Sequence, residues 1–281
     1  MKKKVAIVGV TGSVGQEFVQ SLKDHPWFEV TQIAASERSA GKKYVDSIKD
    51  PDGIIKWEVD GEIPEYIKEM TVKTIDEINT SELDLVFSAV ESEAARDIET
   101  KFAKDVPVIS TSSAYRYEDD VPILIPGIND EQSELLEIQK KNRNWKGWVA
   151  PLPNCTTTGL AITMKPLYEK YGAKKVMMTS MQAISGGGRS PGVSAMDVTD
   201  NIIPYIPKEE EKVRKETRKI LGKLKDGKIE PADIRISCTC TRVPVIDGHT
   251  ESVFVETSQE IDPQTAKKTY EEYNKSISVM G

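Results

Sequence analysis

The chain has 281 residues, 38% hydrophobic and 30% charged, with a net charge of −7. Such a length holds two domains or one large α/β domain, and the balance is that of a soluble globular chain. The acidic surface and the absence of a long basic run exclude nucleic acid as an expected partner, and no apolar run reaches the length of a membrane span.

The three cysteines, Cys155, Cys238 and Cys240, are an odd number in a long chain and argue against a secreted disulfide framework. The start "MKKKVAIVGV" offers six apolar residues before Thr11-Gly12-Ser13. That is too short for the apolar region of a signal peptide. A cytoplasmic location is the expectation.

In chain order, a short apolar run over 5–8 is rich in β-branched residues and predicts a strand. A glycine turn follows, then a helix with apolar Val14, Phe18, Val19 and Leu22. Strands are predicted over 29–34, 83–90 and 106–110, with a helix over 93–104. Apolar strands alternating with helices predict a parallel sheet covered on both faces. The turn spaces Gly9, Gly12 and Gly15 as GxxGxxG. Glycines between a first strand and a helix let the backbone approach a pyrophosphate at the helix N-terminus. They also serve tight turns. The second strand ends in Ala35-Ser36-Glu37-Arg38-Ser39. Arg38 with two hydroxyls suits a 2′-phosphate, which favours NADP over NAD, provided that Glu37 points away. The plainer reading of Arg38 is a solvated loop residue.

The second half predicts a helix over 156–171, with Leu160, Met164, Leu167 and Tyr168 apolar, Gly172 as terminator and Pro166 as a potential kink. Cys155 then stands at the helix start, where the dipole favours thiolate and free N–H groups can serve an oxyanion. A packing role for the thiol stays open at this point. Of the two histidines, His25 reads as a helix terminator, and His249 is the credible proton-transfer partner by elimination. A glycine-rich loop over 181–192 can present backbone donors or be merely flexible. An amphipathic helix over 207–223 has Val213, Ile220 and Leu221 on one side, and its charges read most simply as a solvated face, though a few could line a site at its start. Cys238 and Cys240 share one face of a strand, but too few further ligands accompany them for a metal, and no metal site is expected.

The segments "GVTGSVGQEFVQSL", "ASERSAGKKY", "SSAYRYEDDVP", "PNCTTTGLA", "MQAISGGGRSPGVSAMDVTDNIIPYI" and "CTRVPVIDGHTES" resemble, in order, those of the archaeal and fungal type of aspartate-semialdehyde dehydrogenase. The resemblance spans essentially the whole chain. It implies an α/β fold: a Rossmann-type doubly wound parallel sheet over 1–150, binding NADP, and an α+β catalytic and dimerisation domain over 151–281. By the same resemblance Cys155 is the acyl-thioester nucleophile, His249 the general acid/base, and Gln182 orients the substrate. Arg242 clamps the substrate carboxylate, Arg116 and Lys212 hold the phosphoryl group, Glu209 takes the amino group, and Asn154 precedes the nucleophile in the substrate site. Gly9, Thr11, Gly12, Ser13, Val14, Ser36, Arg38, Ser39, Ser185 and Gly186 contact NADP. A homodimer or homotetramer acting on small molecules is implied.

Thr156 and the pair Thr111-Ser112 depart from the family's usual residues. The family also continues past "NKSISVMG" with an Arg-Pro-Gln-Pro segment and a glycine-rich helix, so the expectation is a chain without the C-terminal return to its first domain. The rival readings are a CoA-thioester reductase, an N-acetylglutamyl-phosphate reductase and a truncated, non-catalytic scaffold. Asn154 and Asp247 fit the first rival less well than the semialdehyde enzyme, and Arg242 with Glu209 suits a free amino acid rather than the acetylated substrate of the second.

Overall fold

In chain order the first unit contains β1 (Lys3–Val8), α1 (Ser13–Ser21), β2 (Phe28–Ala34), the single turns α2 (Tyr44–Ser47) and α3 (Glu65–Lys68), β3 (Leu85–Ser88), α4 (Ser92–Ala103), β4 (Val108–Ser110), α5 (Glu134–Arg143) and β5 (Val149–Pro151). The computed structural model describes residues 1–188 and 192–277. The strands form one parallel sheet in the order β2-β1-β3-β4-β5. β1 shows why both faces are covered. Val5 and Ile7 enter one apolar cluster with Val19, Leu22, Ile33 and Phe87. Ala6 and Val8 enter the other with Val86, Phe102 and Val108. A strand with apolar residues on both faces needs a helical layer on each side, and the order reverses at β1 as in doubly wound sheets.

One expected position is corrected. Val14 is exposed, whereas Phe18, Val19 and Leu22 pack into the core as expected, and α1 also buries Gly15 and Gln16. Gln16 is satisfied there: its amide nitrogen donates to Thr11 O and Lys56 O, and its amide oxygen accepts from Glu58 N–H. His25 takes a local role, its Nδ1 accepting from the N–H groups of Trp27 and Phe28.

The second unit comprises Pro122–Glu134 and the chain from Pro153 onward. Its elements are α6 (Cys155–Tyr171), β6 (Ala173–Gln182), the turn α7 (Ala195–Val198), α8 (Glu209–Ile220), the hairpin of β7 (Lys223–Lys225) and β8 (Lys228–Glu230), β9 (Arg235–Arg242), β10 (Thr250–Thr257) and α9 (Pro263–Ile277). The expected division at 150 put segment 122–134 in the first unit. Side chains explain its place in the second. Ile123, Ile125 and Ile128 pack with Ala161 of α6 and Ile220 of α8, and buried Gln132 donates to the carbonyls of Lys219, Ile220 and Gly222 at the end of α8.

The second sheet has the order β10-β6-β9, with β6 and β9 parallel and β10 antiparallel to β6. One face packs Val176, Met178, Cys238 and Cys240 against Leu160 and Met164 of α6 and Val213 of α8. Met177 and Phe254 are register neighbours on the opposite face and remain 57% and 63% exposed. α6 runs through Pro166 as one helix of 17 residues and ends at Gly172, whose φ of 67° only glycine adopts easily. Among the described residues no helix is long and apolar enough to cross a membrane.

Candidate active site

Cys155 is the first residue of α6, and Asn154 is its N-cap. The Asn154 side-chain oxygen accepts from Thr157 N–H at 3.1 Å, a cap worth about 1 kcal/mol. The cap fixes the backbone on which the nucleophile candidate stands. Cys155 keeps an open side to solvent, and its Sγ lies 3.2 Å from His249 Nε2. The segment leading into β10 delivers this ring. Its other nitrogen, Nδ1, accepts the backbone N–H of Ala183 at 3.1 Å. A neutral imidazole whose Nδ1 is an acceptor carries its proton on Nε2. The hydrogen therefore faces the sulfur.

The electrostatics correct one expectation. The helix start does favour thiolate through the N–H of Thr156, but two effects outweigh it. Crowding by protein and then the Glu209 carboxylate push the Cys155 thiol above its ordinary value. Burial, then the charge of Arg242, hold His249 below its ordinary value. The resting pair is accordingly a thiol and a neutral imidazole, not a thiolate–imidazolium pair.

Four more of the expected residues meet here. Gln182 ends β6, Arg242 ends β9, and the parallel register places them side by side. Glu209 opens α8. It is buried and accepts from Asn154 Nδ2 at 2.6 Å, Lys212 Nζ at 3.2 Å and Gln182 Nε2 at 3.4 Å. Arg242 is buried and donates through Nη1 to Ala183 O at 2.7 Å. The Ala183 peptide thus holds both Arg242 and His249. Ser185 and Gly186 follow in a 3₁₀ turn over Ile184–Gly187. A Cβ on Gly186 would stand 2.9 Å from Arg242 Nη1 and 3.0 Å from His249 Cε1, so this turn lies directly on the Arg242 guanidinium and the His249 imidazole. Of the glycine-rich loop, Arg189, Ser190 and Pro191 lie outside the described residues.

The remaining candidates belong to the first unit. Gly9 has a φ of 81°, and a Cβ there would meet Ala89 O at 2.5 Å. At Gly15 a Cβ would meet Gly9 O at 2.2 Å, whereas at Gly12 the nearest atom is 3.6 Å away. The first and third glycines are needed by the fold, and the second leaves room in front of the backbone. Gly12 caps α1 with no side-chain bond, so the first N–H groups, at Ser13 and Val14, suit a phosphate. A cleft of about 470 Å³ beside this turn is lined by Thr11, Gln16, Arg38, Ser39 and Lys42, among others. Glu37 is exposed and is not among its lining residues. Ser36 belongs to the same turn, its carbonyl accepting from Ser39 N–H. These residues fit a dinucleotide with a 2′-phosphate. Arg116 is buried and donates to Thr111 O at 3.0 Å.

Two functional candidates escaped the sequence reading. Lys42, four residues from Arg38, adds a further cation to the cleft, whose lining also includes Lys49, Lys56, Asp50 and Glu58. Glu216 is fully buried and accepts Asn154 N–H at 2.7 Å. In sequence it looked like part of the charged face of α8. The only sign of it was its spacing of two helical turns from Glu209. Cys238 and Cys240 are buried, and Cys238 Sγ lies 3.4 Å from Glu210 O. Among the described residues no group of three or more His, Cys, Asp or Glu side chains could hold a metal ion.

Comparison with known proteins gives the following. Residues 4–136 match the family described as semialdehyde dehydrogenase, NAD binding domain, and residues 164–280 match semialdehyde dehydrogenase, dimerisation domain. An aspartate-semialdehyde dehydrogenase of Archaeoglobus fulgidus is 46% identical over 96% of this chain and 76% of its own length. The Candida albicans protein of that name is 40% identical over 99% of this chain and 79% of its own. A crystal structure of the Candida albicans enzyme with NADP superposes with a TM-score of 0.85 at 38% identity, covering 96% of this chain and 76% of that one.

Proposed function

The chain belongs to the aspartate-semialdehyde dehydrogenase family, and from that premise we propose how its residues divide the reaction. The activity is the NADP-dependent interconversion of β-aspartyl phosphate and aspartate semialdehyde, a step in the biosynthesis of lysine, threonine, methionine and isoleucine. A CoA-thioester reductase and a non-catalytic scaffold are not favoured, since the relatives compared carry the semialdehyde name.

In the biosynthetic direction Cys155 Sγ attacks the acyl carbon of β-aspartyl phosphate. The C–S bond forms, the C–O bond to phosphate breaks, and phosphate leaves, taking up the proton that the Cys155 thiol gives up. The N–H groups at the start of α6 face the oxyanion of that step. The Gly9–Val14 turn, Ser36, Arg38 and Ser39, and in the second unit Ser185 and Gly186, would hold NADPH, which when bound would supply the hydride for the thioester. His249 Nε2–H donates a hydrogen bond to the resulting oxyanion and then to the Cys155 thiolate that departs as the thiohemiacetal collapses to aldehyde. Glu209 takes the substrate ammonium, and Arg242 takes its carboxylate in a guanidinium fork. Gln182 and Asn154 orient the acyl group, and Arg116 and Lys212 hold the phosphoryl group.

The observation that carries this reading is the 3.2 Å contact between Cys155 Sγ and His249 Nε2 at an Asn-capped helix start. Its test is turnover of purified protein with aspartate semialdehyde, phosphate and NADP. NADPH formation that requires phosphate and is lost in Cys155→Ala supports the reading. Turnover that accepts CoA in place of phosphate overturns it.

The proposal includes a homodimer formed through the open face of the β10-β6-β9 sheet. Met177 and Phe254 supply an apolar centre there, of the kind that obligate interfaces bury. Phe254→Glu then halves the mass in light scattering, and an unchanged mass removes this face from the proposal. A cytoplasmic location is likewise proposed, in keeping with three unpaired thiols.

A further inference from the structure

Glu216 is an acidic side chain in an expensive place. Its side chain is completely buried, and a buried carboxylate is tolerated only when strong donors meet it. One such donor is the backbone N–H of Asn154, at 2.7 Å. Glu209 and Glu216 lie seven residues apart on α8, which puts them on one face two turns apart. Both reach the same residue. Glu209 takes the Asn154 side-chain N–H, and Glu216 takes the main-chain N–H. The Asn154 oxygen meanwhile caps α6. The residue before Cys155 is thus held at its backbone, at its side-chain nitrogen and at its side-chain oxygen. Two of the three holds come from α8.

We propose that Glu216 is a positioning residue for acyl transfer. It sets the backbone that enters Cys155, and through it the place of Sγ relative to His249 Nε2. The Glu216 side chain reaches that N–H from a fixed place on α8, at 2.7 Å, and the Cys155–His249 contact has little slack at 3.2 Å. The proposal rests on Cys155 being the nucleophile. Glu216 acts through Asn154, whose main-chain N–H it accepts. Its effect belongs in kcat and in the intrinsic reactivity of the thiol, not in substrate affinity.

Two conservative variants separate reach from charge. Glu216→Gln keeps the reach and an acceptor oxygen but loses the charge. Glu216→Asp keeps the charge but withdraws the carboxylate by about 1.5 Å, one carbon–carbon bond. The measurements are kcat, KM for aspartate semialdehyde, NADP affinity, unfolding temperature, and the pH dependence of iodoacetamide alkylation at Cys155. The expected result is a kcat lowered roughly tenfold in Glu216→Asp, as for a sub-ångström misplacement, with KM and NADP affinity within about twofold. Glu216→Gln recovers most of that kcat, and the alkylation profile shifts in the aspartate variant only. The proposal is overturned if the glutamine variant loses as much kcat as the aspartate variant. It is also overturned if the unfolding temperature falls in both while kcat and alkylation stay at wild-type values. Alkylation needs no substrate, so it still reports on Glu216 if the wild-type protein fails to turn over aspartate semialdehyde.

Discussion

Gly186→Ala places one methyl group where the structure has no room for it. The added Cβ would stand 2.9 Å from Arg242 Nη1, 3.0 Å from His249 Cε1 and 3.2 Å from His249 Nε2, against ordinary contacts that begin near 3.4 Å. Gly186 is not among the glycines with positive φ, so alanine costs the backbone little there. The neighbours must therefore yield by a few tenths of an ångström. Arg242 is tied to Ala183 O and His249 to Ala183 N, so the imidazole cannot retreat without losing a bond. A displacement of a full ångström at a reacting group costs about a hundredfold in rate. Half of that predicts about a tenfold fall in kcat, or about 1.4 kcal/mol of barrier. The assay is steady-state NADPH formation at saturating phosphate, with the unfolding temperature measured beside it. A wild-type kcat would refute the spacing argument. A raised KM for NADP at unchanged kcat would assign Gly186 to cofactor contact alone.

Iodoacetamide alkylation of Cys155 is expected to accelerate steadily into the alkaline range, because burial and Glu209 push the thiol up. A rate already flat near neutrality would reveal a thiolate–imidazolium pair. Glu209→Gln removes the second of those causes and speeds alkylation at fixed pH by roughly threefold. Glu251 lies against Gly159 of α6, and burial raises its carboxyl to about 7. A carboxyl with a raised folded pKa binds its proton more tightly when folded. Stability is therefore lost as pH climbs from its ordinary value through about 7. Glu251→Gln should raise the unfolding temperature at about pH 8 and leave it unchanged at about pH 4, and the opposite pattern would remove this account. In the nucleotide turn, Gly15→Ala should unfold the first unit, since its Cβ would meet Gly9 O at 2.2 Å. Gly12→Ala should fold normally, with its nearest atom at 3.6 Å, yet bind NADP more weakly. Equal stability of the two would contradict the division of roles.

Local patterns were readable because local physics decides them. β-branched runs marked β1 and β2, spaced glycines marked the nucleotide turn, and Asn154-Cys155 before an apolar helix marked the start of α6. What the chain order hides is set by distant partners. Gln182 and Arg242 become neighbours only through the parallel register of β6 and β9. Glu216 looked like solvated charge because nothing near it in sequence reveals that its face of α8 turns toward Asn154. The net direction of the Cys155 thiol is hidden for the same reason. The helix start is a local effect, while Glu209 and the surrounding protein arrive from elsewhere in the chain. Segment 122–134 precedes β5 in sequence, and only the bonds of Gln132 to the end of α8 reveal its allegiance.

The central claim is that Cys155 carries the acyl group. Mass spectrometry of protein quenched in acid after mixing with aspartate semialdehyde and NADP, without phosphate, tests it most directly. An aspartyl thioester on the peptide containing Cys155, lost on adding phosphate and absent from Cys155→Ala, is the predicted result. An adduct on Cys238 or Cys240, or phosphate-dependent turnover that survives Cys155→Ala, would contradict it.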